Sequence, residues 1–263
     1  MYVGIAQNTG NKYVGNEGYV MEDAVGLGKN TVAVADGHGS RGGSGGKQSA
    51  EIAVYHACLG KKITQIHNIV SNSKTSETQH AGCTLTVGCV KNNNILKIKQ
   101  VGDSSALLYS NGEVFGWLIE PHNKINSSEK QRMREEGHLL TRMGFKVNGR
   151  YINVTRAIGH NDLMHEGDEV SLKLEDGEFC IIATDGLWDY ITNQRIIELL
   201  KSTACPSCAA SQLMENRIKK NKMDNAAVVI VGKTPSCERC QNIKLYPSTM
   251  FEKGFGYVRR LFS

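Results

Sequence analysis

The sequence predicts an α+β fold: two antiparallel β-sheets packed on each other, with helices on both outer sides. Three observations carry this reading. Short apolar runs recur along the chain and are closed by Gly, Asn or Asp turns, and the 28 glycines suit such a strand-rich fold. Paired helical patterns interrupt the strands, which suggests two packed sheets with helices outside. At 263 residues and 40% hydrophobic content, one domain with a sizeable core is expected.

Tyr2–Ala6, Tyr19–Val25 and Thr31–Ala35 read as strands. Residues 42–46 (Gly-Gly-Ser-Gly-Gly) read as a connector, followed by a helix over Gln48–Leu59 with Ile52, Val54, Tyr55 and Leu59 as its apolar positions, and a second over Ile63–Val70. After a polar loop over Ser71–His80 comes a meander: Thr84–Val90, an Asn92–Asn94 turn, Ile95–Val101, Ala106–Tyr109, an Asn111–Gly112 hairpin and Val114–Leu118. Glu129–Glu136 is a short charged helix stopped by Gly137. Glu169–Leu174 and Phe179–Ala183 are expected to pair across Glu175-Asp176-Gly177. Helices over Ile191–Leu200 and Ala209–Lys220 and a core strand over Ala226–Val231 follow. The pattern shows no internal repeat.

Met1–Asn8 lacks a basic region followed by an apolar core, so no signal peptide is expected. No apolar stretch approaches the ~20 residues that span a bilayer. Eight cysteines without a secretory signal point to reduced thiols or metal ligands inside a cell, in the cytoplasm or nucleus. The net charge of +5 is scattered and forms no nucleic-acid stripe.

Carboxylates stand at the ends of apolar runs. Asp36 follows Val34-Ala35, Asp185 follows Ala183-Thr184, Asp224 stands before Ala226–Val231, and Glu22-Asp23 stands before Ala24-Val25. Acidic residues delivered in this way build an all-oxygen site for hard divalent cations. His38, two residues beyond Asp36, is placed to protonate a leaving oxygen. Asp189 reads as a helix N-terminal carboxylate and Trp188 as core.

The motifs and their order resemble the PPM family, the metal-dependent type 2C serine/threonine protein phosphatases. Met21-Glu22-Asp23-Ala24, Asp36-Gly37-His38-Gly39, Gly82-Cys83-Thr84-Leu85, Val101-Gly102-Asp103-Ser104, Val147-Asn148-Gly149, Val154–Gly159, Asp185–Asp189 and Asp224-Asn225 carry the resemblance from Met1 to Val231. It implies the same helix–sheet–sheet–helix sandwich, with a metal centre between the sheets. It also implies two Mg²⁺ or Mn²⁺ ions that activate a water for attack on phosphoserine or phosphothreonine in proteins. Asp36 would bridge the ions with the Gly37 carbonyl in reach. Asp185 and Asp224 would complete one shell, and Glu22 would hold water around the second. Asp103 would share a weaker third metal with Asp185, and Asp23 would orient the loop or a water.

The departures concern phosphate recognition. The arginine that the family places before its first acidic motif is Gly18 here, Ser105 stands where an arginine commonly follows Gly-Asp-Ser, and His160 stands where an aspartate is usual. The phosphate-binding residues are therefore not assigned by the resemblance; Lys12, Arg41 and Lys47 are the cations of nearby loops. Two functions follow: an active phosphatase with altered phosphate recognition, or a regulatory or binding protein on a weakly active or inactive phosphatase fold.

Two Cys-x-x-Cys knuckles, Cys205/Cys208 and Cys237/Cys240, lie outside the resemblance and predict a structural Zn²⁺ site. With Cys205 and Cys208 just before a helix and Cys237 and Cys240 beyond the returning strand, the knuckles should meet at the end of the fold opposite Asp224. Cys58, Cys83, Cys89 and Cys180 read as core. The expected organisation is a catalytic domain over 1–232 and a C-terminal extension over 233–263. The extension's basic, aromatic tail, Lys244–Ser263, is expected to pack back on the domain. A monomer acting on a phosphoprotein, without nucleic acid or membrane span, completes the reading.

Overall fold

The computed structural model describes residues 1–10, 20–39, 44–163, 166–203, 205–220, 223–235, 237–238, 240 and 243–246. Gly18, Lys12, Arg41 and residues 247–263 of the tail lie outside the described residues. Strands β1 (Tyr2–Asn8), β2 (Ala24–Leu27), β3 (Thr31–Ala35) and the short β4 (Gly37–His38) precede helices α1 (Ser44–Cys58) and α2 (Ile63–Asn72). The middle of the chain forms β5 (Gly82–Cys83), β6 (Leu85–Val90), β7 (Ile95–Val101), β8 (Ser105–Ser110) and β9 (Glu113–Trp117). Helix α3 (Ser127–Glu135) leads into β10 (Leu139–Thr141), β11 (Gly144–Val147) and β12 (Arg150–Ile152). The last part holds β13 (Asp168–Lys173), β14 (Phe179–Ala183), α4 (Asp185–Trp188), α5 (Asn193–Leu200), α6 (Pro206–Glu215), β15 (Ala226–Gly232) and β16 (Ile243–Lys244).

Two sheets form the sandwich. The six-stranded sheet has the order β16-β1-β15-β14-β8-β9, and the five-stranded sheet β13-β7-β6-β3-β2. Alternation along each strand sends one set of side chains between the sheets and the other under the helices. Val229, Val231, Cys180 and Ile182 meet Val32, Val34, Leu96 and Ile98 in the middle layer. From the same strands, Val228, Ile230 and Ile181 face outward against Leu213 of α6 and Ile196 of α5. Ala33, Ala35 and Leu85 face the other way against α1 and α2.

Three expectations are corrected. Strands over Glu169–Leu174 and Phe179–Ala183 form but do not pair: β13 joins β7 at an edge, whereas β14 lies between β8 and β15 in the other sheet. The half-exposed residues of β13 suit an edge, and the wholly buried β14 suits a centre, so the short turn passes from sheet to sheet. Helix α1 begins at Ser44 and absorbs Gly45 and Gly46 of the expected connector. Its buried face is Gly45, Gly46, Ser49, Ala50, Ala53, Val54 and Ala57, while Tyr55 and Leu59 are exposed. Small residues bring this helix close to the sheet. The strand expected over Tyr19–Val25 starts only at Ala24; Glu22 and Asp23 before it bond instead to Asn225 and Thr184 beside the other sheet.

A smaller unit of α3 and β10–β12 packs on Met133, Phe145, Val147, Ala157 and Leu163. It is tied to the sandwich by the buried Glu129. Its carboxylate accepts from Arg156 Nε and Nη2 at 3.0 and 2.6 Å, Arg132 Nη2 at 2.8 Å and Thr155 Oγ1 at 2.6 Å. Arg156 also donates to Asp168 at 2.8 Å. Burial opposes ionisation of Glu129, but Arg156, Arg132 and Thr155 overcome it and hold its pKa at about 2.

Because that folded pKa is depressed, the stability Glu129 contributes is full above its ordinary value near 4.5 and is lost as pH falls toward about 2. Glu129→Ala leaves Arg156 short of its buried partner and should destabilise the fold by about 3–5 kcal/mol, read by urea unfolding at pH 7. The variant should show a shallower stability loss between pH 4.5 and 2 than the native chain.

Candidate metal centre and catalytic cleft

Strand register gathers the carboxylates. In the five-stranded sheet Ala24 pairs with Ala35, so Asp23 and Asp36 are next to each other just beyond the hairpin's open end. In the six-stranded sheet Ala183 pairs with both Ser105 and Val228. Continued outward, that register sets Asp185 beside Asp103 and close to Asp224. The same end of both sheets therefore carries all the expected acidic residues.

Buried hydroxyls fix the loops. Thr84 Oγ1 accepts from the Asp36 amide at 2.9 Å and contacts Ser104 Oγ at 2.6 Å. Thr184 Oγ1 donates to Asp23 Oδ2 at 2.6 Å and accepts from the Ala227 amide at 3.0 Å. Asn225 accepts from the Glu22 amide at 2.8 Å and donates to the Thr9 carbonyl at 2.5 Å, linking the first and last acidic motifs. Gly46 is required here: a Cβ on it would stand 2.2 Å from Glu22 Oε1, and one on Gly37 would stand 2.2 Å from the Gly46 carbonyl.

The electrostatics are those of crowded anions. Burial raises the Asp36 pKa well above the usual carboxylate range, and the charges of Asp23, Asp185, Asp103 and Asp224 raise it further. Asp103 is raised by burial and then by Asp185. Asp23 is raised to about 8 by burial, with Asp185 and Asp224 adding to the effect and the Thr184 hydrogen bond opposing it. Asp103 Oδ1 is buried with no hydrogen-bond partner. An all-oxygen donor set, mutual repulsion and an orphaned carboxylate oxygen fit hard divalent cations.

His38 lies on β4, which pairs with β5 through Gly82. Its ring stacks on His160, with centroids 5.3 Å apart. Burial, then the Lys74 ammonium, lowers its pKa to about 4. Beside it opens a groove of about 890 Å³ lined in part by Lys74, His80, Arg150, His160 and Asp162. Lys74 Nζ donates to the Gly159 carbonyl at 2.5 Å, and Arg150 Nη2 meets His80 Nε2 at 3.0 Å. Sequence reasoning missed Lys74 and Arg150. Neither belongs to a quoted motif, and only the fold of the smaller unit brings Arg150 to the cleft. Lys47 pairs instead with Glu51 at 3.9 Å.

Asp189 is a correction: it closes the C-terminal end of α4, its amide bonded to the Asp185 carbonyl at 2.8 Å, so it is no helix-start carboxylate. Trp188 is half-buried, donates to the Ala183 carbonyl at 2.9 Å and meets Trp117 edge to face. The cysteines also converge. The sulfurs of Cys205, Cys208, Cys237 and Cys240 all lie within 4.8 Å of one another. Cys205 caps α6 and Cys208 lies within it, so the helix begins earlier than the sequence suggests.

The profile of the Protein phosphatase 2C family matches residues 44–226. The chain belongs to that family. Among curated relatives, the "Probable protein phosphatase 2C 71" of Arabidopsis thaliana is 26% identical over 219 residues, covering 75% of this chain and 47% of the relative. "Protein phosphatase 2C homolog 1" of Saccharomyces cerevisiae is 34% identical over 136 residues, covering 50% of this chain and 47% of that protein. The chain thus spans about half the length of such relatives. The fold matches the Mycobacterium tuberculosis serine/threonine phosphatase PstP/Ppp at a TM-score of 0.62 and 21% identity, covering 88% of this chain and 98% of that one. The PstP catalytic domain solved with two manganese ions matches at 0.60, also with 21% identity, over 87% and 97%.

If repulsion among the carboxylates is the dominant stress at this end, Asp36→Asn should raise the melting temperature of the metal-free protein. The expected gain is about 0.5–2 kcal/mol. The same variant should lose the Mn²⁺-induced rise in melting temperature expected of the native chain, both read by calorimetry.

Proposed function

We propose that this chain hydrolyses phosphoserine and phosphothreonine in proteins with the aid of two Mg²⁺ or Mn²⁺ ions. The convergence of Asp23, Asp36, Asp103, Asp185 and Asp224 on one buried centre, with an oxygen of Asp103 left unpartnered, is the observation that carries it. Family membership and the likeness to manganese-bound PstP support the same reading. When bound, the cations activate a water toward phosphorus and neutralise charge on the phosphoryl oxygens.

Asp36, the Gly37 carbonyl, Asp185 and Asp224 would hold one ion and Glu22 with Asp36 the other; Asp103 with Asp185 would hold a weaker third. Asp23, gripped by Thr184, keeps the Asp36 loop in place. His38 stands at the cleft as the proton donor to the leaving seryl or threonyl oxygen. Its imidazole is neutral before substrate arrives, and a phosphoryl dianion beside it would favour the protonated form. Lys74 and Arg150 are the cations on hand to draw that dianion in. Arg156 is committed to Glu129 and Asp168 and is not free for this task. The chain would act as a monomer in the cytoplasm or nucleus. Among the described residues no helix is long and apolar enough to cross a membrane. A Zn²⁺ on the four cysteines would serve the fold and take no part in the hydrolysis.

Turnover of p-nitrophenyl phosphate and of a phosphothreonine peptide should vanish in EDTA, return with Mn²⁺, and fall to background in Asp185→Asn. Full turnover in EDTA or in Asp185→Asn refutes the metal mechanism. Calorimetric Mn²⁺ binding with no turnover of either substrate assigns the chain to the binding-protein alternative instead.

His38→Gln should separate proton donation from the rest. The phosphothreonine peptide has a poor leaving group and should slow by roughly 10²-fold in kcat, the scale of general-acid catalysis. p-Nitrophenyl phosphate, whose leaving group departs as a stable anion, should change little. Equal slowing of both substrates would reassign His38 to positioning.

A further inference from the structure

We propose that Cys205, Cys208, Cys237 and Cys240 bind one Zn²⁺ as a clasp that fastens the edge strand β16 to the end of the sandwich remote from the acidic centre. This metal is independent of the hydrolytic ions in ligands, position and purpose.

The sulfur geometry comes first. Cys208 Sγ lies 3.6 Å from Cys237 Sγ and 3.5 Å from Cys240 Sγ, and Cys237 Sγ lies 3.6 Å from Cys240 Sγ. Disulfide sulfurs sit about 2.05 Å apart, so these are separate thiols. With Zn–S bonds of ~2.3 Å, a tetrahedron sets its sulfurs about 3.8 Å apart, close to the spacing seen. Four sulfur donors leave no position for water, which marks a structural site rather than a catalytic one.

The position of Cys205 suits a negatively charged ligand. Cys205 is buried at the N-terminus of α6, where its sulfur accepts from the Cys208 amide at 3.5 Å. The helix dipole adds to this stabilisation of negative charge.

The fold explains what the clasp holds. A Cβ on Gly4 of β1 would stand 2.0 Å from the Pro206 carbonyl oxygen, so the first knuckle is pressed against the middle of β1. The second knuckle follows β15, whose final Gly232 pairs with Tyr2. Beyond it, β16 pairs with the same end of β1, matching Tyr2 to Lys244 and Val3 to Ile243. Leu245 and Tyr246 then donate to the carbonyls of Met1 at 2.8 Å and Lys29 at 3.0 Å. A two-residue strand holds an edge weakly by itself. A metal bonded to both knuckles fixes the chain just before it. Gly4 pairs with Ile230, so the stretch of β15 from Ala226 to Ile230, ~13 Å at ~3.3 Å per residue, separates this clasp from the end of the strand that carries Asp224.

The full chain, purified without chelators, should contain one zinc per molecule that survives an EDTA wash sufficient to strip Mn²⁺. Replacing it with Co²⁺ should give the intense visible bands of a tetrahedral thiolate complex. Asp185→Asn should keep the zinc, whereas Cys237→Ser should lose it and melt at lower temperature. Amides of Leu245 and Tyr246 should exchange hydrogen faster once zinc is removed. Freely titratable thiols without zinc, a disulfide within the set under reducing conditions, or zinc retained by Cys237→Ser would overturn the site. Unchanged exchange at Leu245 and Tyr246 would overturn the clasp. Should Cys237→Ser fail to fold, the Co²⁺ spectrum of the native chain decides, and a weak octahedral spectrum refutes the proposal.

Discussion

Repulsion among carboxylates at one end of the sandwich is the constraint to which the neighbouring structure answers. Asp23, Asp36 and Asp103 are set among protein atoms where ionisation is unfavourable, each raised by burial and by its acidic neighbours. Left to local preference, such residues would turn outward to water. They are held inward by strand register and by hydroxyls and amides placed to grip them: Thr84 for the Asp36 loop, Thr184 for Asp23, Asn225 for Glu22. Helix α1 contributes by what it lacks. Its glycines and alanines let it close on the sheet while leaving room for the Glu22 carboxylate.

The side of the cleft around His38 is built from different material. Arg156, the arginine within the motif at Val154–Gly159, is locked to Glu129 and Asp168 and serves to attach the smaller unit. Among the described residues, Lys74 and Arg150 line the groove beside His38, contributed by the segment after α2 and by β12. His160 stacks on His38 at the position where the family usually has an aspartate. An imidazole there adds no negative charge beside an incoming phosphate. Lysine offers phosphate a point charge without arginine's planar fork, so recognition in this cleft would depend on electrostatic attraction more than on bidentate geometry.

Much of this was legible because strand ends and turns are local. The Asp36, Asp185 and Asp224 turns, each cysteine knuckle and most strands could be read from a few adjacent residues. What escaped depended on partners distant in sequence. The Glu175–Gly177 turn looks like a hairpin, yet β13 and β14 belong to different sheets because one suits an edge and the other a centre. Gly45 and Gly46 look like a flexible linker, yet packing against Glu22 and Gly37 makes them a helix start. The approach of Arg150 to the cleft follows from the placement of a whole small sheet, which no single stretch of sequence encodes.

The two ends of the six-stranded sheet therefore place opposite demands on the same strands. At the acidic end, β14 and β15 deliver groups that repel one another, so the sequence there works against stability. At the other end β15 and β1 carry no such charge, and the chain returns to cover the β1 edge with β16. Strands transmit position well along their length, because a shift at one end moves every residue in register. Fixing β1 and β15 where they meet Gly232 and Tyr2 thus also limits how far Asn8, Asp224 and Asn225 can spread under the repulsion at the far end. A clasp there could steady the acidic centre without touching it.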